Sequence, residues 1–107
     1  MRVLDVGCGN GDLSRLVARL VGPHGRIVGI DQDQAVLTAA NAVAPDIDAA
    51  PIEYRVADIS CELPDLGLFD AIIGRRVLMY LPDASQTLAR LVTLAKPAAV
   101  FAFQEHS

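Results

Sequence analysis

Three glycines and two carboxylates come at or just after the ends of short apolar segments: Gly7, Gly9, Gly11, Asp31 and Asp58. Because glycine has no Cβ, a loop built from it adopts positive φ and lets a ligand touch the backbone. The carboxylate of Asp31 can accept hydrogen bonds from two ribose hydroxyls. That of Asp58 can accept one from an exocyclic amine such as that of adenine. This combination favours a site for a ligand that contains a nucleoside.

The elements that must position these residues are strands and helices in alternation. Apolar segments predict five strands, at residues 2–6, 26–30, 52–56, 69–74 and 98–104. Between them, apolar residues recur at helical spacing. The three predicted helices bury Leu13, Leu16, Val17 and Leu20; Val36, Leu37, Ala40 and Val43 or Ala44; and Leu88, Leu91, Val92 and Ala95.

Particular residues mark where two of the predicted helices begin and end. Asp33 can cap the second helix, and Asp83 with Gln86 resembles a capping box for the third. Pro45 and Pro97 are expected to end these two helices, because proline lacks the amide proton that a helix interior needs.

Alternating strands and helices predict a parallel sheet with right-handed crossovers. The expected fold is α/β, a Rossmann-like doubly wound parallel sheet of about five strands. Ligands bind such sheets beyond the carboxyl ends of the strands, where the strand order reverses. That rule brings the glycine loop, Asp31, Asp58 and the end of the fourth strand, with Arg75 and Arg76, to one crevice.

Length and composition restrict the class of protein. The 107 residues, 52% of them hydrophobic, fit one folded domain over 1–107 and exclude a disordered chain. The net charge of −4 disfavours binding to nucleic acid or to an anionic membrane surface. The apolar run at 98–103 is far too short to span a bilayer. Cys8 and Cys61 form neither a disulfide framework nor a metal motif, which predicts reduced thiols in the cytoplasm.

Five segments in order resemble the motifs of the class I S-adenosylmethionine-dependent methyltransferases. They are residues 3–11, which resemble the family's acid-x-Gly-x-Gly-x-Gly loop, then 28–31, 57–59, 69–73 with 77–81, and 94–97. Ala98 and Ala99 stand where the family has two glycines. The resemblance covers nearly the whole chain and implies a methyltransferase whose cofactor is S-adenosyl-L-methionine.

The resemblance also implies a role for each residue at the cofactor. The residues concerned are Asp5, which would help to hold the loop; Gly7, Cys8, Gly9 and Gly11, along the methionine and ribose portion; Asp31, for the ribose hydroxyls; Gln32, against the adenine or ribose; Asp58 and the Ile59 backbone, for the adenine; and Arg75, at the methionine end. No catalytic residue is assigned, although Tyr80 and His106 are the nearest candidates for a base. The acceptor is unidentified, and a small-molecule substrate is expected.

Two alternatives share this fold. A NAD-dependent oxidoreductase would carry a G-x-G-x-x-G loop, but Asp12 stands where that pattern needs its last glycine. An acid there would repel a pyrophosphate, whereas the sulfonium of S-adenosylmethionine is a cation. The second alternative is a non-catalytic cofactor-binding or interaction module.

The family usually continues beyond the fifth strand with another helix and two antiparallel strands, and it usually has helical sequence before the first strand. The chain is therefore expected to be the cofactor-binding core without those antiparallel strands, a truncation that would affect activity more than cofactor affinity. Residues 98–103 would then form an exposed apolar edge. A homodimer or other self-association through the fifth strand is expected.

Overall fold

The strands and helices follow one another along the chain in the predicted order. A computed structural model describes residues 1–59, 61, 63, 65–75 and 84–104. The strands are β1 (Arg2–Val6), β2 (Arg26–Asp31), β3 (Ile52–Val56), β4 (Phe69–Arg75) and β5 (Ala95–Gln104). The helices are α1 (Asp12–Val21), α2 (Gln34–Asn41) and α3 (Ala84–Val92).

The strands form one parallel sheet in the order β3-β2-β1-β4-β5. The chain runs outward from β1 to β3, then returns to the other side of β1 to form β4 and β5. The order therefore reverses at β1, and the carboxyl ends of β1, β2 and β4 surround the point at which such sheets bind ligands. The expected doubly wound, Rossmann-like α/β fold is confirmed.

Apolar side chains fill both faces of the sheet, because successive strand residues point to opposite sides. One face packs against α3 and the segment after β3; its buried residues are Leu4, Val6, Val28, Ile30, Ala57, Ile59, Leu66, Phe69, Ile72, Leu91 and Leu94. The other packs against α1 and the residues before β3; its buried residues are Val3, Ala18, Ile27, Ala49 and Ala50. Alanines dominate the second set, which lets α1 lie close to the sheet.

Helix α1 turns a different side to the sheet than its apolar residues predict. Its buried residues are Ser14 and Ala18, whereas Leu16 and Leu20 are 48% and 79% exposed. The Ser14 hydroxyl donates a 2.5 Å hydrogen bond to the buried carboxylate of Asp5. Because a buried carboxylate needs such a donor, this bond sets the rotation of the helix and leaves the two leucines outside.

Helix α2 is shorter than its sequence predicts. It ends at Asn41 rather than just before Pro45. Val43 and Ala44, of which one or the other was expected to be buried, are both exposed, so the last predicted turn has no packing against the core to stabilise it. The expected Asp33 cap is confirmed, since its carboxylate accepts hydrogen bonds from two amides of the first turn. Asp83, of the capping box expected at α3, lies outside the described residues.

Helix α3 contacts the core along a narrow line. Thr87 and Leu91, one turn apart, are buried, but Leu88 and Val92 are exposed. The prediction is thus confirmed for Leu91 and wrong for its two neighbours on the apolar stripe. Ala95, predicted to belong to this helix, is the first residue of β5.

Strand β5 begins at Ala95 rather than at Ala98 as predicted. Its register against β4 shifts near the start of the pair, where extra residues of β5 form an irregularity that includes Pro97. An irregular position tolerates proline, because its missing amide proton is not needed for the ladder. Pro97 therefore lies within the strand and does not mark the end of α3.

Ala98 adopts a left-handed backbone conformation, with φ of 65°. This conformation costs an alanine roughly 1–2 kcal/mol, and glycine, as in the family motif, avoids that cost. Replacing alanine by glycine loses roughly 0.5–1 kcal/mol in backbone entropy. We therefore expect Ala98→Gly to raise the free energy of unfolding by about 0.5–1 kcal/mol, measured by urea unfolding with circular dichroism.

Ala99→Gly is the matched control. Ala99 is outside the left-handed region, so the substitution should lower the free energy of unfolding by roughly 0.5–1 kcal/mol. Equal destabilisation by both substitutions would contradict the strain assigned to Ala98.

Candidate functional site

The loop after β1 passes through three glycines in the left-handed region. Gly7, Gly9 and Gly11 have φ values of 66°, 56° and 88°. The Cys8 amide donates to the Ile30 carbonyl at 2.9 Å, and the Gly11 amide donates to the Cys8 carbonyl at 3.1 Å. These bonds join the loop to the end of β2, and side chains at the three glycines would strain it.

The space beside the glycines differs between positions. A Cβ at Gly9 would meet nothing within 4 Å, so its backbone borders open space that a ligand can fill. A Cβ at Gly11 would instead meet the Tyr54 hydroxyl and the Arg15 guanidinium. Gly11 therefore makes room for these two groups of the protein, in addition to any part it has at the cofactor.

Asp31, at the end of β2, lies against this loop. Its Oδ2 accepts a hydrogen bond from the Gly9 amide at 3.0 Å, and its Oδ1 accepts one from the Asp33 amide at 2.9 Å. The side chain is partly exposed, and each oxygen keeps a lone pair for a further donor. The carboxylate can thus accept two further hydrogen bonds beside the glycine loop.

Asp5 supports the loop from within the protein. It is only 1% exposed, and it accepts the hydrogen bond of Ser14 in the first turn of α1. Since β1 leads into the loop and α1 leads out of it, this bond fixes the two ends relative to each other. That placement fits the supporting role expected of Asp5 and gives it no exposed surface for a ligand.

The other predicted residues lie at the carboxyl ends of β2, β3 and β4. Gln32 is exposed beside Asp31, and Asp58 is partly exposed just after β3. Ile59 buries its side chain in the core, so its backbone is the part left for a ligand. Arg75 is the last residue of β4. Outside the described residues lie Arg76, Tyr80 and His106.

Two residues that contact the loop, Tyr54 and Arg15, were not predicted from the sequence. Tyr54 pairs with Gly29 across β2 and β3, and a Cβ at Gly29 would come within 3.0 Å of its ring. A glycine inside a strand often marks such a close approach, so Gly29 is the feature of the sequence that could have indicated this contact. Burial raises the pKa of the Tyr54 phenol, and the neighbouring Arg15 guanidinium offsets part of that change.

A cavity of about 460 Å³ lies between α1 and α2. Its walls include small apolar residues such as Ala18, Ala40 and Ala50, and Asp46 is the acidic residue among those that line it. None of the residues predicted to bind the cofactor lines this cavity. Arg15 and Tyr54, which contact the glycine loop from its protein side, also line it. Because the predicted residues gather instead at the crevice beyond β1 and β2, that crevice is the better candidate for the site.

No cluster of His, Cys, Asp and Glu that could hold a metal ion occurs among the described residues. The described helices are also too short or too polar to cross a bilayer. Cys8 is buried and Cys61 is exposed, and neither forms a disulfide.

Known proteins share both the motifs and the fold. The sequence profile of a family described as "Methyltransferase domain" matches residues 1–107. The chain belongs to the class I S-adenosylmethionine-dependent methyltransferases.

This methyltransferase domain is 37% identical over 100 residues to 2-phytyl-1,4-naphtoquinone methyltransferase from Synechococcus elongatus, over 92% of the chain and 42% of that protein. It matches an S-adenosylmethionine dependent methyltransferase from Mesorhizobium loti with a TM-score of 0.70 and 28% identity, over 98% of the chain and 46% of the other. The chain also matches an arsenic(III) S-adenosylmethionine methyltransferase from Chlamydomonas reinhardtii with a TM-score of 0.81 and 25% identity, over 94% of the chain and 38% of the other. The chain spans less than half the length of each.

The two cysteines of the methyltransferase domain should differ in reactivity. Burial, and to a smaller extent the carboxylates of Asp5 and Asp31, raise the pKa of Cys8 to about 12. Because the thiolate is the reactive form, we expect alkylation by iodoacetamide at about pH 8 to proceed at the exposed Cys61.

The Cys61→Ser variant should therefore be alkylated at least about tenfold more slowly than the wild type. Cys8→Ala is the matched control, and it should keep the fast reaction. Mass spectrometry of the intact chain gives both rates. An unchanged rate in Cys61→Ser would show that Cys8 is accessible and ionised.

Proposed function

We propose that residues 1–107 form a single domain that binds S-adenosyl-L-methionine at the carboxyl ends of β1 and β2 and takes part in methyl transfer to a small-molecule acceptor. The position of Asp31 carries the proposal. It holds the Gly9 amide while its carboxylate stays partly exposed, and Gly9 borders open space. A ribose needs such an acceptor, and close contact with a loop backbone needs such a glycine.

The charge around the loop suits this cofactor. When bound, the cofactor supplies a methyl group activated by attachment to a sulfonium cation. The carboxylates of Asp5 and Asp31 both help to raise the pKa of Cys8 in the loop, so each contributes negative potential there, while the Arg15 guanidinium at the Asn10 carbonyl contributes positive potential. The two carboxylates would attract a cationic ligand and repel a pyrophosphate.

The alternative of a NAD-dependent oxidoreductase finds no support. The methyltransferase family matches the chain from residue 1 to residue 107, and the third glycine stands at Gly11 rather than at position 12. The carboxylate of Asp12 would repel a phosphate only weakly. It is paired with Arg15 at 2.7 Å, which reduces the repulsion.

The residues of this chain are proposed to bind and align the cofactor. Displacement at a methyl carbon depends strongly on the alignment of its reactants. Asp31 and Asp58 would hold the ribose and the adenine, while Gly7 and Gly9 would border the methionine portion. A non-catalytic module with the same fold would bind the cofactor in the same way, so transfer of the methyl group is what separates the two.

A small-molecule acceptor agrees with the names of the relatives, which include a naphthoquinone methyltransferase and an arsenic(III) methyltransferase. The net charge of −4 gives no attraction for nucleic acid or for an anionic membrane. A cytoplasmic location is supported by two cysteines that form no disulfide.

Calorimetric titration with S-adenosylhomocysteine, the demethylated product, tests the site. The wild-type chain should bind it and should not bind NAD. Asp31→Ala should weaken binding roughly 10- to 100-fold, because a hydrogen bond to a charged group contributes about 1.5–3 kcal/mol. Asp58→Ala should have a smaller effect, since the backbone of Ile59 would still contact the adenine.

Asp33→Ala is the matched control, because Asp33 is exposed and caps α2. It should lose about 1 kcal/mol of stability and keep the wild-type affinity. Binding of NAD in place of S-adenosylhomocysteine, or equal affinity of wild type and Asp31→Ala, would contradict the assignment. Methyl-labelled S-adenosylmethionine with a panel of small acceptors then distinguishes an enzyme, which transfers the label, from a binding module.

We also propose that the chain self-associates through β5. Among the described strands, β5 is at an edge of the sheet and pairs with β4 alone. Val100 is 60% exposed and Phe101 is also exposed. An apolar edge strand presents unpaired backbone groups, which a second copy of the same strand can satisfy.

Light scattering at tens of micromolar should therefore give a mass above the 11.4 kDa of one chain. Val100→Lys should shift the mass towards that of the monomer, since a charge on an edge strand opposes pairing. Val92→Lys is the matched control: Val92 is 58% exposed and belongs to α3, outside the paired edge of β5, and its substitution should leave the mass unchanged. A wild-type chain that stays monomeric on concentration would refute this proposal.

A further inference from the structure

Arg15 connects two neighbouring parts of the glycine loop. From the first turn of α1, its Nη1 donates to the Asn10 carbonyl at 3.0 Å, and its Nη2 donates to the Asp12 carboxylate at 2.7 Å. A guanidinium presents its donors in a fixed planar arrangement, so it can hold two acceptors at once. Arg15 thereby fixes the carbonyl that lies between Gly9 and Gly11.

Tyr54 supports the same turn from the sheet. Its hydroxyl, together with the Arg15 guanidinium, occupies the space in which a side chain at Gly11 would stand. Its ring lies against Gly29 of the neighbouring strand β2. A residue of β3 therefore reaches past β2 to the loop that follows β1.

We propose that Arg15 and Tyr54 are positioning residues, which keep the turn from Gly9 to Gly11 in the conformation that binds the cofactor; this inference rests on the proposed function. Asp31 holds that turn at the Gly9 amide, and Arg15 holds it at the Asn10 carbonyl. Glycine gains more conformations than any other residue when contacts are removed. The apparent affinity for a ligand falls with the fraction of molecules that keep the binding conformation.

Arg19 offers a matched control for Arg15. It lies one turn further along α1 and also lines the cavity between α1 and α2. Its side chain is exposed, and among the described contacts the loop is held by Arg15 and not by Arg19. Arg19→Ala thus removes the same type of side chain from the same helix without touching the turn.

Amide hydrogen exchange, followed by NMR without any ligand, tests the positioning. The Gly11 amide is bonded to the Cys8 carbonyl inside the turn, and local opening of the turn exposes it. Arg15→Ala should accelerate exchange at Gly11 roughly tenfold while the amides of β2 exchange as in the wild type. Tyr54→Phe, which removes only the hydroxyl, should act in the same direction with a smaller factor. Arg19→Ala should leave the exchange rates at Gly11 and in β2 as they are in the wild type.

Calorimetry with S-adenosylhomocysteine gives the second readout. Arg15→Ala should bind roughly 5- to 20-fold more weakly than the wild type, and Arg19→Ala should bind equally well. A merely structural role would instead lower the urea midpoint and accelerate exchange throughout β2. If Arg15→Ala does not fold, amide exchange and calorimetry on Tyr54→Phe test the proposal.

Exchange at Gly11 that is unchanged in both Arg15→Ala and Tyr54→Phe overturns the proposal. So does faster exchange at Gly11 in a variant that binds S-adenosylhomocysteine with wild-type affinity. If the wild-type chain binds no S-adenosylhomocysteine, the proposed function fails. The ligand-free exchange rate at Gly11 then still decides whether Arg15 and Tyr54 hold the turn.

Discussion

Both oxygens of the Asp31 carboxylate accept backbone hydrogen bonds. The bond from the Gly9 amide joins the end of β2 to the loop that follows β1, and the bond from the Asp33 amide holds the carboxylate to the turn before α2. The Gly9 amide is thereby held next to the acid that is proposed to bind the ribose. Displacement of either strand would separate this acid from the loop that is proposed to border the methionine portion. The parallel pairing of β1 with β2 and the short loop between β1 and α1 therefore serve one geometric requirement.

Close packing beneath the loop makes this arrangement possible. Gly11 and Gly29 leave the space that Tyr54 fills, and the bond from Ser14 to Asp5 brings α1 against the sheet. Small residues and polar contacts thus occupy the layer under the site. The larger apolar side chains of α1 are on the surface instead, a consequence of a rotation that a buried carboxylate imposes.

Contacts between neighbours in the sequence could be predicted, whereas contacts across the sheet could not. The strands, the glycine loop and the Asp33 cap follow from residue types over a few positions. The rotation of α1 depends on Asp5 and Ser14, which meet only once the helix has packed onto β1. The left-handed Ala98 depends on the pairing of β5 with β4, and Tyr54 reaches the loop from β3. Such contacts leave no periodic signal.

Whether Asp31 and the glycine loop form the cofactor site is tested most directly by an NMR titration of the isotope-labelled chain with S-adenosylhomocysteine. The largest changes in amide chemical shift should fall on Gly7, Gly9 and Asp31, with smaller ones after β3 at Asp58. Saturable changes confined to the cavity between α1 and α2, for example at Ala40, would place the ligand in that cavity and not at the glycine loop. Those changes, or none at saturating ligand, would contradict the assignment.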